Sequence, residues 1–400
     1  MTNHRFETLD AMRGVAAICV LCFHIFEALA FAAGQTEQQM FHGFLAVDFF
    51  FILSGFVMGY AYNHRWQATE RRLTFWRFVR LRLIRLHPMV VAGVTLGTLA
   101  FVLHGCDAWD GTVATPWQVA GATVLALLMI PAPICLDVRG NTEAFPLNGP
   151  HWSLLFEYVG SLLYALVLRR LPSYILTAIV VTMGIVLTVN GLMGEYGTIA
   201  YGWSSEPTNL WGGLLRMMFA YPLGLLLAAS PLTPLRGEGD GASPLTSLRG
   251  EGIWRFWGCA LGLIALLCMP SLSTLTGFHP ANIIYEVLCI AFIFPLIVRT
   301  CAKQTALHSH RNGSLPSPRR GAGGEAPGCK AALGALSYPL YAIHYPLIYL
   351  YIQWLNSGHG TEGFEKWAMP IGVFLAAITL GYISLRFWET PMRRWLSNRG

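Results

Sequence analysis

Long, nearly unbroken apolar runs alternate along the chain with short polar connectors. Runs that reach or approach the roughly 20 helical residues needed to cross a hydrocarbon core lie near 10–33, 43–62, 86–104, 151–168, 171–192, 211–229, 253–275, 282–299, 331–354 and 366–387. Only helices and closed barrels satisfy their backbone polar groups in lipid. The pattern therefore predicts an all-α polytopic membrane protein with about ten transmembrane helices. A further apolar stretch, 117–135, contains Pro131 and Pro133, which remove helix donors and clash with the preceding turn. It is expected to be re-entrant or interfacial rather than a crossing.

The connectors differ in charge, and Lys and Arg collect in cytoplasmic loops. Arg65, Arg71, Arg72, Arg77, Arg80, Arg82 and Arg85 follow the second run. Arg236, Arg249 and Arg255 follow 211–229, and Arg299, Lys303, Arg311, Arg319, Arg320 and Lys330 follow 282–299. The other connectors carry Glu37, Asp107, Asp110, Asp137, Glu143, Glu195, Glu206 and Glu362, with Arg139 as the basic exception. Both termini are then cytoplasmic. A crossing at 117–135 would place Arg169 and Arg170 outside, which is a second reason to read that stretch as re-entrant or interfacial.

Composition agrees: 54% of residues are hydrophobic and 12% charged, about half the charged fraction of a soluble domain. A soluble fold is excluded. The net charge of +6 is accounted for by the basic loops and calls for no nucleic acid. The first run is long and holds Arg13 and His24, so it is expected to remain as a helix rather than leave as a signal peptide. Nine cysteines show no CxxC or other ligand spacing, so no metal is expected; Cys106 and Cys135 both fall on the outer side, where a disulfide is an option. Residues 1–400 read as one membrane domain. The near-tandem repeat in 230–252 and the Pro-, Gly- and Arg-rich stretch in 303–330 cannot bury a core and are expected to be disordered cytoplasmic loops.

Ionisable side chains within apolar runs are costly unless paired or hydrated, and mark function by default. Arg13 and His24 are eleven residues apart, about 20° beyond three turns, so they share a helix face roughly 16 Å apart. Glu27, one turn beyond His24, is placed to accept its Nδ1 proton. Asp48, Glu157, Arg216 and Glu286 fall in the outer halves of their runs. Ser337, Tyr341 and His344 form a polar i, i+4, i+7 stripe. One outward-opening polar cavity is the economical reading, with an Arg216–Glu286 ion pair as a structural alternative. In FWRFVRLRLIRLHP (75–88), Arg77, Arg80, Arg82 and Arg85 serve either as interfacial anchors or as a phosphate clamp.

LDAMRGVAAICVLCFH resembles the first helix of the acyltransferase 3 family of integral-membrane O-acyltransferases, with Arg13 and His24 in the matching positions. VDFFFILSGFVMG (47–59), RLRLIRLHP with Arg82, Arg85 and Pro88, HWSLLFEYVGSLLY with Trp152, Ser153 and Glu157, LSYPLYAIHYPL (336–347) and WETPMRRWL (388–396) are similar to later blocks of the family, in order. The resemblance implies acyl-CoA-dependent O-acylation, usually O-acetylation, of glycans, lipid-linked sugars or sugar-bearing small molecules, by a multi-pass protein of the cytoplasmic (inner) membrane. Acetyl-CoA is the donor it implies, with Arg13, Arg82 and Arg85 on the acyl-CoA. His24 is the implied base or nucleophile and Glu157 orients or relays protons at the outer cavity. Glu27, Asp48, Trp152, Ser153, Arg216, Ser337, Tyr341 and His344 are the expected supporting cavity residues. The chain carries no appended esterase-like region before Gly400, so the membrane domain is expected to act alone or with a separate extracytoplasmic partner. The competing reading is a transporter or flippase of an acyl group or lipid-linked saccharide.

Overall fold

The computed structural model describes residues 6–34, 41–69, 72–194, 196–230, 247–311, 328–360 and 363–398. Its long helices are α1 (Glu7–Ala32), α2 (Ala46–Gln67), α3 (Phe75–Leu103), α4 (Pro116–Leu127), α5 (His151–Leu166), α6 (Ser173–Met193), α7 (Pro207–Ala229) and α8 (Ser247–Leu267). They are followed by the short α9 (Leu272–Thr276), then α10 (Ala281–Leu288), α11 (Phe294–Arg311), α12 (Cys329–Ile343), α13 (Tyr345–Asn356), α14 (Glu365–Ser384) and α15 (Thr390–Asn398). Wide π turns at Cys289–Ile293 and Leu385–Glu389 join α10 to α11 and α14 to α15.

Eight of these helical stretches, among the described residues, are long and apolar enough to cross a membrane. Of the two other apolar runs, 253–275 forms the apolar part of α8, Trp254–Leu267, and then α9. The run 331–354 is divided into α12 and α13 at His344, between Pro339, inside α12, and Pro346, in the first turn of α13. The protein is an all-α, multi-pass membrane protein. The 117–135 stretch does not cross: α4 has 12 residues, about 18 Å of helix, against a core of about 30 Å. A capping box between Thr115 and Gln118 starts α4, and the chain then leaves helix at Leu128 and runs irregularly to Pro150. Val119, Ala122, Val138 and Leu147 pack with Phe101 of α3 and hold that segment against the bundle.

In lipid, helices gain nothing from burying apolar surface against each other, and close packing of small residues holds them together. Here α2 and α7 meet at Gly55 and Gly224. A Cβ on Gly55 would collide with the Tyr221 carbonyl, and one on Gly224 with the Ile52 carbonyl. The α1–α12 contact is built the same way, with Gly14 against the Leu333 backbone and Gly334 against Asp10. These two contacts pair α2 with α7 and α1 with α12, four helices that carry polar residues. Cys106 and Cys135 are separate thiols. The low-complexity repeats fall mainly in 231–246 and 312–327, outside the described residues; their flanks at 247–252 and 303–311 belong to α8 and α11.

Gly55→Val or Gly224→Val is expected to cost about 1–3 kcal/mol through forced separation of α2 and α7, read as a lower apparent Tm of the detergent-purified protein. An unchanged Tm would show that this contact does not hold the bundle.

Candidate active site

The polar residues do not share one cavity. Two cavities occupy opposite ends of the bundle, and only Val47 and Tyr341 line both. The first, about 1170 Å³, lies where α1 and α3 begin and α2 and the chain's last helix end; Arg13, Arg85, Glu157, Ser337 and Arg393 are among its lining residues. The second, about 530 Å³, lies where α1 ends and α2, α5 and α7 begin; it holds His24, Glu27, Trp152 and Arg216.

At the first cavity, Arg82 and Glu157 are spent on each other. Arg82 Nη2 lies 2.7 Å from Glu157 Oε1, and Arg82 Nε donates to Ser161 Oγ at 3.1 Å. Ser54 Oγ donates to the same Glu157 oxygen at 3.1 Å. Arg82 is buried and does not line the cavity, so the expectation that it touches donor phosphates is corrected: its guanidinium neutralises Glu157. Glu157 is corrected too, because it lines the Arg13 cavity and not the His24 cavity. Arg85, one turn further along α3, has no hydrogen bond or ion pair among the described residues and faces the cavity. Arg13 Nη1 sits 3.6 Å from Asp10 Oδ1, and Arg393 Nη1 2.9 Å from Glu389 Oε1. Arg13, Arg85 and Arg393 thus line one cavity together, and guanidinium geometry matches the oxygens of an anion such as phosphate.

At the second cavity, His24 Nδ1 lies 2.6 Å from Glu27 Oε2. With that carboxylate accepting from Nδ1–H, Nε2 keeps its lone pair, and it has no hydrogen-bond partner among the described residues. The His24 ring stacks on His344 with centroids 5.4 Å apart and meets Tyr345 edge-on at 4.8 Å. His344 is buried behind it, Nδ1 donating to the carbonyls of Tyr341 and Leu340 at 2.9 and 3.1 Å. It supports the His24 ring and does not line the cavity.

Asp48 and Arg216 form a fully buried bidentate pair, Nη2–Oδ2 2.6 Å and Nε–Oδ1 3.1 Å. Arg216 also donates to the Tyr201 carbonyl at 2.8 Å and lies over the Trp152 ring at 5.1 Å. The alternative Arg216–Glu286 pair is therefore not formed. Glu286 instead accepts from Thr198 Oγ1 at 2.7 Å and the Ile199 amide at 2.8 Å, with His42 Nε2 3.4 Å away. The expected single outward cavity gives way to two because position in a run fixes depth and not which neighbour a side chain meets.

The segment before α5 supplies residues that the sequence reading missed. Asp137 accepts from the amides of Arg139, Asn141 and Thr142 and curls 137–143 over the His24 cavity, with Thr142 at positive φ. Buried Arg139 lies over the Tyr349 ring at 3.7 Å and near Trp109 at 5.2 Å. Tyr349 donates to Glu143 Oε2. Glu143, Trp109 and Tyr349 all line the cavity. Arg139 stood out in the sequence as the basic residue among acidic outer connectors, and that was the available signal. Burial pushes the Glu143 carboxyl up to about 7, against the opposing pull of the Tyr349 hydrogen bond and Arg139. Burial also lowers the Arg139 guanidinium. Among the described residues no His, Cys, Asp and Glu cluster forms a metal site.

The sequence model of a family described as an acyltransferase domain matches residues 6–386. The chain is 33% identical over 174 residues to protein 2 in the picA locus of Rhizobium radiobacter, covering 40% of this chain and 81% of that one. It is 30% identical over 178 residues to acyltransferase MdmB of Streptomyces mycarofaciens, covering 42% of this chain and 41% of MdmB. The match thus spans about two fifths of MdmB. No solved structure matches.

Glu143 binds its proton more tightly in the fold than in the unfolded chain, whose carboxyl titrates near 4.5. Its contribution to stability is therefore greatest below about 4.5 and is lost as pH rises through about 7. The apparent Tm of the wild type is expected to fall across this window more steeply than that of Glu143→Gln, which carries no proton to lose. Parallel curves would mean the carboxyl is not held protonated.

Proposed function

From the premise that this chain belongs to the acyltransferase 3 family, we propose that it transfers an acetyl or other short acyl group from acyl-CoA to a hydroxyl of a sugar-bearing acceptor across the cytoplasmic membrane. The observation that carries this reading is the pairing of Arg85, which no hydrogen bond or ion pair holds among the described residues, in one cavity with a carboxylate-held His24 in the other. Arg85 and Arg13 take the donor phosphates from the cytoplasmic side, the side given by the basic connectors. The aromatic-walled His24 cavity takes the acceptor from the opposite side, presented as a glycan, a lipid-linked sugar or by a separate extracytoplasmic partner.

In the transfer, the acceptor O–H gives its proton to His24 Nε2 while its oxygen bonds to the thioester carbonyl carbon. The C–S bond then breaks, the electron pair leaves on sulfur, and sulfur takes the proton back from His24 Nε2 to give free coenzyme A and neutral His24. Glu27 holds His24 in the tautomer that presents Nε2 and stabilises the imidazolium that forms. Arg82 and Glu157 act by position: they cancel each other's charge at membrane depth and leave Arg85 as the group free to meet an anion. The roughly 16 Å between Arg13 and His24 on one rigid helix sets the separation of the phosphate end of the donor from its reacting end.

The two-cavity arrangement also favours a second reading, alternating-access transport of an acyl group or lipid-linked saccharide. Transfer of label from radiolabelled acetyl-CoA into membrane glycan separates the two. His24→Ala is expected to lower labelling by about 10²–10⁴-fold, with Glu27→Gln falling between it and the wild type. Equal labelling in wild type and His24→Ala would remove His24 from the chemistry; no bond making in any preparation would leave transport.

The arginines are expected to separate kinetically. Arg85→Ala raises KM for acetyl-CoA with little change in kcat, because it removes donor binding. Arg82→Ala leaves Glu157 without its cation and costs about 3–5 kcal/mol of stability, read as lost folded yield. A raised KM in well-folded Arg82→Ala with normal Arg85→Ala would reverse the two roles.

A further inference from the structure

If the donor enters the Arg13 cavity and the reacting base stands in the His24 cavity, something must let the acyl end through. The wall between them is thin. Val47 and Tyr341 are its shared residues, and consecutive residues of α5 fall on either side of it, Ser153 facing the first cavity and Trp152 the second. Tyr341 Oη lies 2.5 Å from Ser153 Oγ, and Ser153 Oγ donates to the Pro150 carbonyl at 2.9 Å. The Phe50 ring meets the Tyr341 ring edge-on at 5.4 Å.

We propose that Tyr341 is a gate: its side chain, latched to Ser153, closes the Arg13 cavity from the His24 cavity and swings aside to admit the acyl end of the donor. This rests on the acyl-transfer reading for what passes, but the gate itself is a statement about the two cavities. Two features confine the movement to the side chain. The phenol turns about its own Cα–Cβ bond and is latched through its oxygen, to Ser153 Oγ and, at 3.4 Å, to the Pro150 carbonyl. The backbone beside it is fixed, because Gly93 packs on the Ala342 carbonyl and Asn148 donates to it at 2.8 Å, so the ring can swing while the helix end stays in place. The closed position also has a use: it keeps water in the His24 cavity from a thioester waiting in the first cavity, where hydrolysis would waste the donor.

The test places a reporter, Ala200→Cys, in the lining of the His24 cavity and reads its modification by a small charged methanethiosulfonate with site-specific mass spectrometry. Membrane vesicles of the two opposite orientations offer the reagent to one face at a time. With Tyr341 intact, the reporter is expected to react from the His24 face alone. In Tyr341→Ala it should react from both faces. Tyr341→Phe keeps the bulk and loses the latch, so reaction from the Arg13 face should appear, about five-fold or more slower than in Tyr341→Ala. Reaction from both faces with Tyr341 intact, or from the His24 face alone in both variants, overturns the gate. The same vesicles are assayed for acetyl-CoA breakdown without acceptor. A change in labelling with no breakdown in any variant keeps the gate and removes the acyl-transfer reading; breakdown with labelling unchanged by either substitution keeps that reading and removes the gate.

Discussion

The cost of holding charge inside a bilayer organises this structure. A lone carboxylate or guanidinium at membrane depth is expensive, and the deep acids answer it with partners drawn from distant sequence. Asp48 binds Arg216, Glu157 binds Arg82 and Ser54, and Glu286 is held by Thr198, the Ile199 amide and His42. Each arrangement ties two or three helices or loops together, so neutralising charge and fixing the bundle are the same act. Against that background Arg85 stands out, because no hydrogen bond or ion pair among the described residues ties it down, although Glu157 and Glu389 lie within electrostatic reach.

The pairs also set what each cavity offers. With Glu157 bound to Arg82, the first cavity presents a net cationic wall suited to an anion. With Arg216 bound to Asp48 and lying over Trp152, the second presents aromatic faces, a hydrogen-bonded His24 and the Glu143 carboxyl. One cavity thus presents mainly charged side chains and the other mainly aromatic faces. Val47 and Tyr341 line both.

Much of this was legible in the sequence, and what was not has a common cause. Apolar run lengths predicted the eight helices long and apolar enough to cross, though not the breaks inside 253–275 and 331–354; Pro131 and Pro133 predicted that 117–135 does not cross, and helical spacing placed His24 over Glu27. All of these depend on residues within one element. Which helices lie side by side is not local information. Asp48 and Arg216 meet because glycines at 55 and 224 let α2 and α7 approach, and no spacing rule relates residues 168 apart. The same holds for Glu157: it was expected at the outer cavity but lines the Arg13 cavity, and its neighbour Arg82 belongs to another helix that starts from the other face. Arg139 and Glu143 were visible only as a charge anomaly in a connector, because their role depends on that connector folding back over the cavity.

Irregular backbone at membrane depth is tolerated only where it is buried in protein or lines a cavity, and two of the breaks here stand at the cavities. The break at His344 stands directly behind His24. The π turn at 385–389 sets Leu385 and Glu389 into the Arg13 cavity, and Trp388 from the same turn donates to the Pro88 carbonyl at 2.7 Å. Tyr338 of α12 donates to the Leu86 carbonyl at 2.5 Å, so the backbone flanking Pro88 is gripped from two sides just beyond Arg85. A helix that loses regular bonds to a proline or a wide turn recovers them from neighbours, and those neighbours are then fixed in register. The irregular turns therefore do two things at once: they aim side chains that a regular helix would point elsewhere, and they lock α3, α12 and the last helix around the cavity that those side chains line.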